Sequence, residues 1–436
     1  MRRGRVVSLR RWRALPLAGP STPARLLRLG AVLVTGCLLT AGLSLFSGLS
    51  RQAATEQGNG RAAALTEDAA ELYHSLADAD AMATSGYVAG GDEPAAVRAR
   101  YDDDLARAAD RLVHAAGELA EDDPGHPLVA TVAQQLPRYS GMIETARFYN
   151  RQGLPLGQSY LGSGSALVRD TVLPAVERLR RQQTAALAED YQRGGAIPFA
   201  VLLVGAAALA GLLDAGRRER RRTNRVLNPG LATATGLVLL ALLWWVGATV
   251  LTDVRLTQAT RHGAAITALD NARAAVLQAR SNENLVLVAR GGGSASDAGY
   301  TGRLAAVLGP DGAGGLLGTA ASSAGSAGTP AIDAARAAAR DWQGAHRRLR
   351  ELDDGGRYRD AVTSAIGTDP AGSRATFNRL DAALGQALRE QRAALDSAAA
   401  AARSALTGLA AGPAVLALLA AAGVAAGIAI RVREYR

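Results

Sequence analysis

The chain has 436 residues, enough for two or three ordinary domains, with only 20% charged and 4% aromatic side chains and a net charge of +10. All 49 basic residues are Arg, so a phosphate-binding glycine loop closed by Lys is excluded, and the single Cys excludes an internal disulfide. Nucleic acid is the weaker partner for this charge, because the Arg residues cluster beside apolar runs, where they orient a membrane protein.

Residues 1–28 form an Arg-rich segment, with Arg2, Arg3, Arg5, Arg10, Arg11, Arg13, Arg25 and Arg28 and no acid. A helix needs roughly 20 apolar residues to cross the hydrocarbon core, and residues 29–49 supply the first such run. Val34-Thr35-Gly36-Cys37 loosely fits a lipoprotein cleavage site, but the apolar run continues to Phe46. An uncleaved span, with Cys37 a small residue inside it, is therefore expected.

Residues 50–196 are rich in Ala, Leu, Arg, Glu and Gln, strong helix formers. Breaks at Asp92-Glu93-Pro94, Asp122-Asp123-Pro124-Gly125 and Gly153-Leu154-Pro155 divide them into about four helices, with Asp before Pro read as a helix start. Leu65, Leu72, Leu76 and Ala83 recur at three-, four- and seven-residue steps, an apolar stripe suited to a bundle. The second span is expected at 197–213, an Arg-rich loop at 214–230 and the third span at 231–251. Residues 252–408 make a second bundle, with helices at about 255–290, 331–352, 357–367 and 373–406. The Gly/Ser/Ala-rich stretch 309–329 reads as a flexible loop. A fourth span at 409–430 and a tail at 431–436 complete the chain.

The three Arg-rich parts place both termini in the cytoplasm and both long segments outside a multi-pass protein of the cell membrane. The expected fold is all-α: four transmembrane helices and two extracytoplasmic helical-bundle domains, in a duplicated span–bundle–span arrangement. Weak internal similarity supports the duplication. Residues 179–187 resemble 388–395, and Tyr87-Val88-Ala89-Gly90-Gly91 lies about where Val288-Ala289-Arg290-Gly291-Gly292 does. Gly423 with Gly427, and Ala207 with Gly211, are small-residue steps that let spans pack closely.

The cytoplasmic parts, about 28, 15 and 6 residues, are far below domain size, so no enzyme and no cofactor are expected. The five His show no metal-ligand spacing, and His114 and His126 read as surface groups. Asp102-Asp103-Asp104 and Asp353-Asp354 read as solvated or capping carboxylates rather than a catalytic pair. Transport fits poorly, since the spans carry no midplane charge and Pro198 and Pro413 lie near span ends. A sensing geometry remains, in which a shift of one bundle helix moves an attached span.

Candidate recognition residues outside the membrane are Asp78, Asp80 and Tyr87 on the first outer helix, and Tyr139 and Tyr149, with Phe148, before the fourth. In the second segment the polar cluster Asn282, Glu283 and Asn284 interrupts a Leu/Val-rich helix. Inside, Arg217, Arg218, Arg220, Arg221 and Arg222 offer docking to an acidic partner, although topology and attraction to anionic membrane lipids account for them more simply.

The whole plan, together with residues 72–80 (LYHSLADAD) and 279–290 (ARSNENLVLVAR), resembles the GlnX-type membrane component of actinobacteria. That resemblance implies a protein that relays extracellular amino-acid availability. Outside, a solute-binding lipoprotein would dock; inside, a soluble Ser/Thr kinase of the PknG type would respond. Two other readings compete: a receptor that binds a small ligand directly in chemoreceptor-like bundles, and a structural membrane scaffold. A homodimer is compatible with all three.

Overall fold

A computed structural model describes residues 22–58, 61–195, 199–223, 228–406 and 411–434. The protein is 89% helical, with no strand among the described residues, and divides into two compact units, one of spans and one of the intervening segments.

The first unit draws on Met1–Ser50, Ile197–Val250 and Leu406–Arg436. Helices α1 (Thr22–Gly58), α7 (Phe199–Thr223), α8 (Pro229–Val288) and α13 (Ala411–Glu434) each contain an apolar stretch long enough to cross a membrane: Leu27–Ser50, Phe199–Arg218, Pro229–Leu251 and Ala411–Ile430. These agree with the expected spans to within a few residues, while Pro198 and residues 409–410 lie outside the described residues. Val32, Phe46, Leu203, Leu243 and Leu419 point outward. Such an apolar surface suits lipid, which solvates it as well as a neighbouring helix would. Leu33, Cys37, Leu212, Val238 and Val424 pack inward. Gly230 of α8 meets the expected Gly423/Gly427 step of α13 so closely that a Cβ on it would lie 2.6 Å from the Gly423 carbonyl oxygen. The Trp245 indole donates to Ser44 Oγ at 3.1 Å, satisfying one polar pair among these helices.

The second unit draws on Arg51–Ala196 and Leu251–Ala405 together. The first segment supplies α2 (Arg61–Val88), α3 (Ala95–Glu118), α4 (His126–Arg151), α5 (Leu156–Leu167), a π-helical turn at Val168–Val172 and α6 (Leu173–Gly195). The second supplies the C-terminal part of α8, then α9 (Ser294–Leu308), α10 (Gly315–Asp354), α11 (Tyr358–Ile366) and α12 (Ser373–Leu406). One continuous apolar core joins Leu72, Leu76 and Val176 of the first to Leu269, Val276 and Leu384 of the second.

The two segments expected to form two bundles thus share one compact unit. Residues 75–86 of α2 are buried without interruption, as are 279–284 of α8. A helix buried all round needs neighbours on every side, and neither segment alone supplies them. The two helices run parallel, since their hydrogen-bonded pairs rise together in number: Tyr73–Gln278, Asp80–Ser281, Thr84–Asn284. Their ends match as the internal similarity suggests. α2 stops at Val88 before Gly90 (φ 75°), and α8 at Val288 before Arg290 (φ 44°) and Gly291 (φ 94°).

Three local expectations also change. Residues 315–329 are helical, kinked at Gly325 (φ 70°), rather than a loop. Leu317, Ala320 and Ala324 are buried at helical spacing there, and that packing outweighs the low helix propensity of the glycines. Helix α9, unforeseen, buries Tyr300, Leu304, Val307 and Leu308. The Asp-Pro breaks do start helices, but α3 and α4 have no side-chain cap; Asp123 instead accepts from the Gly125 amide at 2.7 Å.

Candidate sensory site

The polar residues of α2 and α8 meet in the interior of the second unit. Asp80, buried, accepts from Ser165 of α5 at 2.7 Å and from Ser281 of α8 at 2.6 Å. Burial pushes its carboxyl above the usual range. Asn284 donates to Thr84 at 3.1 Å and to Ser85 at 2.8 Å. Buried polar groups need such partners, and each bond also fixes the register of the pair.

Next to Asn284, Glu283 has no solvent exposure and ties α8 to α10 and α12. It receives Arg280 at 2.5 Å, Trp342 of α10 at 3.3 Å and Ser373 of α12 at 2.7 Å, and lies 3.0 Å from His346 Nδ1. The second nitrogen of His346 lies 3.0 Å from Asp297 of α9. Burial alone would raise the Glu283 carboxyl, but the bond from His346 and the charge of Arg280 override it and hold the group down to about 2. Tyr300 stacks on the His346 ring, with centroids 3.6 Å apart.

A second charged cluster lies on the other face of α2. Asp78 pairs with Arg100 at 2.7 Å; Arg100 reaches Asp381 of α12, which Arg273 of α8 binds at 2.9 Å. Asp104 is buried beside them and pairs with Arg107. Burial, and then the neighbouring Asp78, push the Asp104 carboxyl up to about 8 despite that pairing. The expectation of a solvated Asp102–Asp104 run thus fails at Asp104, while Asp102 sits on the surface with Arg98. His114 is half exposed against Asp68. His74 is held down to about 3 by burial and then by Arg273, and stays neutral.

Among the sequence candidates, Asp78, Asp80, Tyr139, Asn282, Glu283 and Asn284 are interior groups. Tyr139 packs on Tyr101. Tyr87 and Tyr149 are half-buried, and Tyr149 joins Tyr160 and the exposed Phe148 in an aromatic patch where α4 ends. Arg217 and Arg218 are exposed, the latter paired with Asp214 at 2.7 Å; the side chains of Arg220, Arg221 and Arg222 lie outside the described residues.

Sequence reasoning missed a cleft of about 330 Å³ in the same unit. Its walls are Glu71, Tyr73 and His74 of α2, Glu177 and Arg180 of α6, Asp270, Asn271, Arg273 and Gln278 of α8, and Arg389 and Arg392 of α12, with Arg303 of α9. These four main helices are the ones that adjoin the four spans in the chain. Arg180 bonds Glu177 and Asn271, and Gln278 donates to the Tyr73 hydroxyl. Burial raises Asp270 to about 6 and lowers Arg303. No motif signals this site, because its residues come from five helices and only the tertiary fold gathers them.

Residues 54–192 match the family model described as an actinobacterial sensor domain. The match covers about a third of the chain and falls on the segment between the first two spans, ending before the second. No curated protein and no solved structure matches. A sensing or signalling role, in a membrane protein with four apolar helices, follows from the family match and the spans together.

Proposed function

We propose that the protein is a non-enzymatic relay that senses extracellular amino-acid availability through a solute-binding lipoprotein and passes the signal to a cytoplasmic Ser/Thr kinase. One observation carries the relay: α8 is a single helix of 60 residues that contains both the third span and the outer residues bonded to α2. A shift of the α8 residues bonded to α2 therefore acts on the helix that carries the third span, and packed interfaces of this kind change between discrete arrangements rather than deforming smoothly. The sensor-domain match on the first segment supports the direction of reading, from outer unit to membrane.

In this reading the two long segments face the exterior, both termini face the cytoplasm, and the exposed Arg217 and Arg218 lie at the inner end of α7, in the Arg-rich segment between the second and third spans. The aromatic patch at Phe148, Tyr149 and Tyr160 is where the lipoprotein docks. A photo-crosslinking residue at Phe148, exposed by half, tests this in native membranes. Recovery of a solute-binding lipoprotein is the expected result, with a Ser/Thr kinase captured from the Arg217 position. Repeated recovery of neither partner overturns the reading.

A further inference from the structure

We infer that the charged cleft of the outer unit itself binds a small zwitterionic solute, carrying a cationic nitrogen and an acidic group on one molecule. The inference starts from which groups in the cleft are already satisfied. Arg180 and Glu177 pair with each other, and Arg273 is engaged by Asp381. That leaves charges of both signs: Arg303 and Arg389 make no ion pair among the described residues, and neither do Glu71 and Asp270.

Arg303 and Asp270 are only partly exposed and lack a direct ion-pair partner among the described residues, with Arg392, Arg180 and Arg273 acting on Asp270 only from a distance, and holding such a charge there costs free energy. A ligand of one sign would relieve one pair and repel the other. A ligand of both signs relieves both, with its acidic group on the Arg side and its nitrogen on the carboxylate side. His74 is neutral and Tyr73 and Gln278 are uncharged, so they add hydrogen bonds without shifting this balance. The volume, about 330 Å³, is at the small end of ordinary ligand sites.

Function follows from the walls. The cleft is formed by α2, α6, α8 and α12, so a bound solute favours whichever arrangement of those helices closes on it. It can bias the equilibrium only by its differential affinity for the two arrangements. This rests on the sensing role proposed above, but not on the lipoprotein or the kinase.

The test uses the purified full-length chain in nanodiscs, with calorimetric titration of L-glutamine, L-alanine and glycine betaine as zwitterions, succinate as an anion and putrescine as a cation. Saturable binding of at least one zwitterion is expected, at least about tenfold tighter than succinate or putrescine, and weakened at least about tenfold in both Arg303→Gln and Asp270→Asn. Unliganded melting curves check that each variant is folded. Arg389→Gln, at an exposed position, provides a third variant should one of the first two unfold. No zwitterion binding, equal binding of the singly charged probes, or unchanged affinity in every folded variant overturns the inference. Because no partner is present, failure here leaves the relay standing, and failure of the crosslinking leaves the cleft standing.

Discussion

At the scale of single residues, the second unit buries several charged side chains, among them Asp78, Asp80, Asp104 and Glu283. Asp104 is the sharpest case, since burial and Asp78 push its carboxyl up to about 8, whereas an unfolded Asp titrates near 3.9. Between those values the folded chain holds a proton that the unfolded chain releases. Stability therefore falls as pH rises through that window, by up to about 1.4 kcal/mol per pH unit. His74, held down to about 3, acts in the opposite direction below about 6.5. From about 6.5 to 8 the Asp104 contribution is not opposed by His74. Thermal unfolding of the full chain should give a lower Tm at pH 8.5 than at 6.5, and Asp104→Asn should flatten that difference. An unchanged slope in the variant would show that the proton sits elsewhere.

At the scale of elements, packing overrides local sequence in both directions. Residues 315–329 carry enough Gly and Ser to read as a loop, yet they fold as helix because Leu317, Ala320 and Ala324 find a core to enter. In the spans, glycine acts through what it lacks. Gly230 has backbone of α13 within 3 Å of where a Cβ would stand, while Gly236 on the same helix has nothing within 4 Å. Gly230→Ala should destabilise the α8–α13 contact by about 1–3 kcal/mol through overpacking, and Gly236→Ala should be close to neutral. Melting of the two variants side by side checks this, and equal effects would mean that α8 and α13 do not approach there.

At the scale of the whole molecule, the two long segments build one unit, with α2 and α8 as a parallel pair. Thr84 and Asn284 touch across that pair, and the one native Cys, Cys37, is buried. A Thr84→Cys, Asn284→Cys double variant should crosslink efficiently under oxidation. If α2 and α8 move against each other during signalling, the oxidised protein should give a constant output whatever the solute outside, restored by reductant. A scaffold would be indifferent to the lock, so an unaltered response would remove the relay mechanism.

What the sequence determined by itself was the membrane plan. Spans are written in one dimension, as uninterrupted apolar runs of fixed length, and Gly423 and Gly427 announced close packing before any partner was known. Most helix starts in the first long segment were legible for the same reason, since breaks and apolar stripes are local, whereas α9 and the first part of α10 in the second were not. Asn282, Glu283 and Asn284 were conspicuous in sequence as polar residues in an apolar helix, but their partners lie on α2, α10 and α12, beyond any local pattern. Tertiary structure alone decided that the two segments share one core, that Asp104 is buried while Asp102 is not, and that Arg303, Asp270 and Glu71 line a single cleft. Burial and pairing between distant segments depend on which faces meet, and a chain of Ala-rich helices offers many similar faces whose choice is settled only when they pack.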